Sequence, residues 1–353
     1  MSLDEPRPVR AGEELPLPPL ASWLELQGFT GHLEVLQFPK GHSNLTYLVR
    51  VGERELVLRR PPFGSKVKSA HDMGREYRVL SRLSPVWELA PRPLAHCDDR
   101  AVLGAPFYVM ERIRGIVLRG PVPSEPLAEA EVRKLCGEIV DRLAELHTLD
   151  WREAGLADLG KPEGYVRRQV EGWTKRWHDA KTEEVPQVDE IARWLLQRIP
   201  AEAGASLIHN DWKHDNLVLD LHDPTRIRGV LDWEMSTIGD PLMDLGTALG
   251  YWVEQGDADE LKAFAFGPTF LPGSFTRREL VARYGERTGR DVSGILFYFC
   301  FALFKSAVVV QQIYKRYVQG LTKDERFAAM ILGVHLLSHM AVRAAEKGDI
   351  APG

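Results

Sequence analysis

The chain has little cysteine: three residues, Cys97, Cys136 and Cys300, lie far apart among 353. An odd, scattered set offers no disulfide framework and points to a reducing compartment. A charge excess is also missing. The 45 basic and 50 acidic residues leave a formal net charge of -5, so there is no electrostatic case for a nucleic-acid partner. The opening MSLDEPRPVR mixes charge with proline and lacks the apolar core of a secretory signal. Long hydrophobic runs are scarce. The most apolar, GILFYFCFALF at 294–304, is cut by Lys305; it is too short for a membrane span and predicts a buried helix. There is no internal repeat and no low-complexity tract. These absences lead to the expectation of a cytoplasmic protein that binds neither nucleic acid nor membrane. Nothing in the sequence points to a protein partner.

What is present is an ordinary globular composition, 44% hydrophobic and 27% charged, long enough for two lobes with cores. Residues 1–29 predict an irregular, proline-rich segment and then a short helix, LASWLELQGF. Residues 30–113 read as a small β lobe. HLEVLQF (32–38), NLTYLVRV (44–51) and RELVLRR (54–60) are rich in β-formers and separated by turn residues, the pattern of an antiparallel meander. SAHDMGREYRVLSRL sets Met73, Tyr77, Leu80 and Leu83 along one side of a helix. RPLAHC (92–97) and PFYVMERI (106–113) predict two more strands, joined across 98–104. From 114 to 353 helical spacing dominates. It places Val132, Leu135, Ile139, Leu143 and Leu146 on one face, and Val166, Val170, Trp173 and Trp177 on the next as core positions. The fold class is therefore α+β and bilobal: a small antiparallel β lobe with one main helix, then a mostly helical lobe.

The densest polar cluster is LIHNDWKHDNLVLD at 207–220. One reading is a metal cage or phosphohydrolase built from His209, Asp211, His214 and Asp215. Against it, LVLDL reads as a strand, and no second His/Asp group completes a cage. A plain solvated loop does not account for the apolar residues on both sides. A third reading is phosphoryl transfer. That chemistry needs a carboxylate to receive or orient the acceptor hydroxyl, and oxygen ligands for magnesium on the nucleotide phosphates. Asp211 and Asn216, five residues apart, suit those two tasks. A second magnesium carboxylate should follow at a strand end, where Asp232 stands after Val230-Leu231 in GVLDWEMSTIGDPLMDLG.

His209-Asn210-Asp211 through Asn216, followed by Val230-Leu231-Asp232-Trp233-Glu234, resembles the two signature motifs of aminoglycoside-phosphotransferase-like kinases. These have a small-molecule version of the protein-kinase fold. GHSNLTYLV (41–49), LVLRRPP (56–62), GREYRVL (74–80) and APFYVMERIRG (105–115) are similar to further family elements, and their order is right. The branch most resembled is the kinase region fused to some acyl-CoA dehydrogenases. The resemblance implies ATP and Mg2+ as cofactors, with Asp211 as catalytic base and Asn216 and Asp232 as metal ligands. It implies that Arg59 grips the phosphates, where most kinases use lysine, and that Glu76 pairs with Arg59. Ser43 and Asn44 would lie in the phosphate-covering hairpin, which lacks a G-x-G-x-x-G pattern. Backbone near Glu111 and Arg112 would bind adenine. Lys213 would stabilise the transferring phosphoryl group, and His209 would hold the loop. Asn210 departs from the family's usual glycine. Asp240-Pro241 predicts a helix start, with Asp244 bracing the loop.

The implied activity is transfer of phosphate to a hydroxyl of a small molecule; a nucleotide-binding pseudokinase is the alternative. Drug-modifying members bind polycationic aminoglycosides. Here Arg167, Arg168, Lys175 and Arg176 face a single acid, Glu171, and a later helix adds Lys305, Lys315 and Arg316. Either they border an anionic acceptor, a hydroxyacyl-CoA being the example the resemblance suggests, or they are solvated faces of amphipathic helices.

Overall fold

The computed structural model describes residues 5–39, 44–63, 72–120, 123, 127–322 and 324–352. In chain order its elements begin with helix α1 (Leu17–Leu26), strands β1 (Leu33–Gln37), β2 (Leu45–Val51) and β3 (Arg54–Arg60) and helix α2 (Met73–Leu83). Strand β4 (Pro93–Cys97), the short helix α3 (Arg100–Leu103) and strand β5 (Phe107–Glu111) follow. Next come helices α4 (Glu129–Thr148), α5 (Tyr165–Ala180) and α6 (Pro186–Gln197). Strands β6 (Ser206–Ile208), β7 (Leu217–Leu219), β8 (Ile227–Val230) and β9 (Thr237–Gly239) precede a helical remainder. That remainder is α7 (Pro241–Tyr251), α8 (Asp259–Ala263), α9 (Arg277–Thr288), α10 (Ile295–Val318) and α11 (Met330–Lys347). The chain forms two compact units. The first is Met1–Val117, Glu153–Leu156 and Asn216–Met235; the second is Leu118–Arg152, Ala157–Asp215 and Ser236–Gly353.

In the first unit a five-stranded antiparallel sheet runs β1-β2-β3-β5-β4. Strands β2 and β3 pair from Leu45↔Arg60 to Val51↔Arg54. Their two-residue turn uses Gly52 at φ 58°, a conformation that costs glycine least. Alternation sends Tyr47, Val49, Leu56, Leu58, Phe107 and Val109 into a core with Leu20 and Leu24 of α1. Helix α2 starts at Asp72, whose side chain accepts the Arg75 N–H, and buries Met73, Glu76, Val79, Leu80 and Leu83. Glu76 thus puts a carboxylate on an apolar face, which requires a partner.

The α+β plan is as the sequence predicts, with differences in its parts. Helix α1 is the short helix expected at 20–29, set a few residues earlier and grouped with the first unit, whereas α3 is a helix the sequence did not show. Helix α3 occupies the 98–104 connector, where Asp99 accepts the Ala101 N–H. The hairpin β7–β8 also belongs to this unit, so its extent differs from the expected 30–113. Leu219 and Ile116 exchange backbone hydrogen bonds of 2.7 and 2.9 Å, and Val230 N–H donates to Leu89 O at 2.8 Å. Gly115 permits the approach: a Cβ there would stand 2.2 Å from Leu219 O.

In the second unit β6 pairs with β9 through Ser206↔Gly239 and Ile208↔Thr237, two strands the sequence did not reveal. Helix α10 runs through Lys305 and is 24 residues long, longer than the apolar run implied. The stretches Ile295–Val318 and Glu325–Lys347 are long and apolar enough to cross a membrane by length and composition. Within the protein, 72% of the first's apolar window is buried and 22% of the second's. Trp173 and Trp177 are buried as predicted for core positions.

Candidate active site

The loop 209–213 leaves β6 in the second unit. Helix α7 begins directly after β9, so the β6–β9 pairing sets the helix beside the loop. Asp240 caps α7 by accepting the Leu242 N–H, with Pro241 in the first turn, as the sequence predicts. Asp244, fully buried, accepts the backbone N–H of His209 at 2.6 Å and of Asn210 at 2.8 Å. Its other neighbour is His147 Nε2 at 3.1 Å. Burial alone would raise the Asp244 carboxyl; hydrogen bonding and charge from His147, with help from His209, outweigh it and hold it below the usual aspartate value. Asn210 has φ 66°, and its Oδ1 accepts from Tyr165 Oη at 3.3 Å. His209 Nδ1 accepts the Asp211 N–H at 3.2 Å, the loop-holding part expected of it. Burial pushes the His214 imidazole down to about 4, and its ring lies 5.3 Å from that of Trp252. His214 is therefore a neutral packing residue at neutral pH.

Asp211 Oδ1 accepts the Tyr251 hydroxyl at 3.0 Å. Its Oδ2 lies 3.1 Å from Lys213 Nζ, which is 3.8 Å from Asp215 Oδ1. The Lys213 ammonium sits 4.7 Å from the Phe266 ring centre and 5.2 Å from that of Tyr251. The sequence pointed to neither Tyr251 as a partner of Asp211 nor Phe266 as a neighbour of Lys213. Both come from distant parts of the chain and carry no local spacing signal.

In the first unit, Arg59 Nη1 donates to Glu76 Oε1 at 2.6 Å and Nη2 to Asp232 Oδ1 at 2.9 Å. Burial works against the Arg59 charge, but Glu76 and Asp232 hold its pKa well above the ordinary value. Burial pushes the Glu76 carboxyl up, with Arg59 opposing. Glu76 Oε1 also accepts the Trp233 N–H at 3.1 Å. Asp232 has φ 67°; with Asn210 it is one of two non-glycine residues at positive φ among the described residues. Such backbone costs about 1–2 kcal/mol and concentrates at functional sites. The β7–β8 ladder places Asn216 and Asp232 at one hairpin end, since Leu231 N–H donates to Asn216 O at 2.8 Å. Asn44 Nδ2 donates to Glu234 Oε2 at 2.5 Å, a partner the sequence left unassigned.

Arg60 points the other way, as strand alternation predicts: Nε donates to Pro61 O at 3.1 Å and the guanidinium covers Phe63. Glu111 and Arg112 sit at and just beyond the end of β5. The Glu111 N–H donates to Arg92 O at 2.9 Å, which commits it to a backbone partner. Arg112 Nη1 donates to Glu55 at 2.8 Å. Ser43 lies outside the described residues. The structure thus gathers Asn44, Arg59, Glu76, Glu111, Arg112, Asn216 and Asp232 in the first unit, and Asp211 and Lys213 in the second.

Known proteins resemble this chain in sequence and in fold. A mouse acyl-CoA dehydrogenase family member 10 is 33% identical over 320 residues, 89% of this chain and 30% of that protein. The chain thus spans about a third of the length of the curated relatives it matches. A Ralstonia eutropha protein assigned by inference to the aminoglycoside phosphotransferases superposes with a TM-score of 0.80. It is 32% identical, with 95% of this chain and 99% of that one covered. A thermostable mutant of aminoglycoside phosphotransferase APH(4)-Ia, in ternary complex with AMP-PNP and hygromycin B, shares the fold. Its TM-score is 0.59 at 16% identity, covering 91% of this chain and 98% of its own. The model of the phosphotransferase enzyme family matches residues 34–280, and the chain belongs to that family.

Proposed function

We propose that the protein transfers a phosphoryl group from ATP, with Mg2+, to a hydroxyl of a small anionic molecule. The observation that carries the reading is the buried Arg59 bridging Glu76 and Asp232. It joins a strand, a helix and a hairpin end into one arrangement, and its Nε is buried with no acceptor among the described residues. A guanidinium so placed suits phosphate oxygens. In this reading Arg59 grips the nucleotide phosphates, Asn44 stands at the covering hairpin, and backbone near Glu111 and Arg112 binds the base. The bound AMP-PNP of the APH(4)-Ia neighbour supports a nucleotide as donor.

Asn216 and Asp232 would hold the metal. Their donor set fits: both supply oxygen, and magnesium takes few protein ligands, completing its shell with water and phosphate. When bound, the ion neutralises phosphate charge. The cage of His209, Asp211, His214 and Asp215 gains no support: His214 packs on Trp252 and His209 Nδ1 serves the loop backbone. Asp211 receives or orients the acceptor proton, and Lys213 offers positive charge beside it.

The test is a phosphotransfer screen with Mg-ATP and a panel of hydroxylated metabolites, hydroxyacyl-CoA thioesters included. A product with one added phosphate is expected. Asp211→Ala should lower turnover by about 10²-fold or more while ATP affinity changes little. Full activity in that variant removes Asp211 from its role. Wild-type protein that binds Mg-ATP but phosphorylates nothing on a broad panel favours the pseudokinase.

A further inference from the structure

We propose that Tyr251 is the positioning residue of the catalytic loop: its hydroxyl fixes the Asp211 carboxylate and its ring seats Lys213. The inference rests on the phosphotransferase reading above. Tyr251 ends α7, seven residues after Asp244, so the two lie about two turns apart on one helix. Asp244 holds the loop by its backbone, at His209 and Asn210. Tyr251 holds it by its working side chain, with Oη donating to Asp211 Oδ1 at 3.0 Å. Helix α7 is itself fixed, capped by Asp240 and buried along most of its length. One rigid element therefore sets both the path of the loop and the direction of its carboxylate.

The hydroxyl is suited to this. Burial, with Asp211 adding to it, pushes the Tyr251 phenol well above its ordinary value, so it stays a donor at any physiological pH. Lys213 Nζ takes the other oxygen, Oδ2, at 3.1 Å. With a donor on each oxygen, turning the carboxylate breaks both contacts. The same tyrosine ring lies 5.2 Å from the Lys213 ammonium, opposed by Phe266 at 4.7 Å. Aromatic faces attract and confine a cation there. Losing the hydroxyl should loosen Asp211 alone; losing the ring should loosen Lys213 as well.

Tyr251→Phe keeps the ring and removes only the hydroxyl, and Tyr251→Leu removes both. In the whole 353-residue chain with Mg-ATP and the best acceptor of the screen, Tyr251→Phe should lower kcat by about 10- to 100-fold, the cost of a poorly aimed reacting group. The KM for ATP should stay within about twofold, and Tyr251→Leu should be slower still. A second measurement does not depend on turnover. Urea midpoints of wild type, Tyr251→Phe, Asp211→Asn and the double variant form a cycle, and the shifts should not add. Wild-type kcat in Tyr251→Phe, a change confined to the KM for ATP, or additive midpoints would overturn the proposal while leaving the phosphotransferase reading intact. An inactive wild type would overturn both.

Discussion

Arg59 and Arg60 are neighbours on one strand, yet they lead separate lives. Arg59 completes a buried ion pair with Glu76; Arg60 covers Phe63. Arg59→Ala leaves a carboxylate buried without its cation, which costs about 3–5 kcal/mol of stability, and it removes the proposed phosphate grip. We expect Arg59→Ala to raise the KM for ATP far more than Arg60→Ala, measured on whatever fraction of each variant is folded. Equal KM values would show that Arg59 serves stability alone. Much at this scale was legible in the sequence. Asp211, Asn216 and Asp232 stand at fixed spacings beside apolar runs, and strand alternation separates Arg59 from Arg60. What was not legible has a physical pattern. Tyr251 meets Asp211 across 40 positions and Asn44 meets Glu234 across 190, and spacing rules describe only near neighbours. The positive φ at Asn210 and Asp232 was hidden too, since asparagine and aspartate visit that region only occasionally and no spacing marks where.

At the scale of elements, β1, β2, β3, β4 and β5 fall within a residue or two of their sequence-read limits because alternation and turn residues mark them. Strands β6 and β9 have three residues each, too few for a period to show, and only their mutual pairing defines them. Helix α7 does the most for the site, and two tests address it. A Cβ on Gly246 would stand 2.6 Å from Tyr298 O of α10. Backbone cannot yield as a flexible side chain can, so Gly246→Ala should cost about 1–3 kcal/mol in chemical denaturation. An unchanged midpoint would mean the two helices separate easily. The second test is pH. The folded Asp244 carboxyl lies below its ordinary value of 3.8. A depressed carboxylate contributes stability that is present above the unfolded value and is lost as pH falls through the folded one. Asp244→Asn should therefore be less stable than wild type at pH 7. The gap should narrow below about pH 4, where the wild-type carboxylate gains a proton. A gap that stays constant from pH 7 to pH 3 would mean that the charge is not what braces the loop.

Taken over the whole molecule, a net charge of -5 says little about the acceptor, because local placement decides what a site attracts. The basic residues singled out in the sequence separate on this point. Arg167 pairs with Glu171 at 3.6 Å and Lys175 with Asp179 at 2.8 Å, turn to turn on their own helix. Arg168 is spent on the carbonyls of Glu163 and Lys161, and Lys315 on that of Asp179 at 2.5 Å. For these four, the reading as solvated helix faces or local ties holds. Lys305 and Arg176 differ. Lys305 is buried, with Asn210 O at 3.5 Å as its one hydrogen-bond acceptor among the described residues. Its Nζ lies 5.8 Å from the Trp173 ring centre, and the Arg176 guanidinium covers the same ring at 4.5 Å. Burial works against the Lys305 charge while Asp211 and Asp244 favour it, so an anionic group arriving there would relieve a poorly solvated cation. Polycations would meet like charge. We therefore expect Lys305→Met to raise the KM for an anionic acceptor about tenfold or more, with the KM for ATP unchanged. Competition at low salt makes the wider test. Hydroxyacyl-CoA thioesters or free hydroxy acids should be phosphorylated and kanamycin-type aminoglycosides should not. Phosphorylation of kanamycin with no measurable affinity for the anions would show that Lys305 and Arg176 serve the fold and that the acceptor is of the opposite charge.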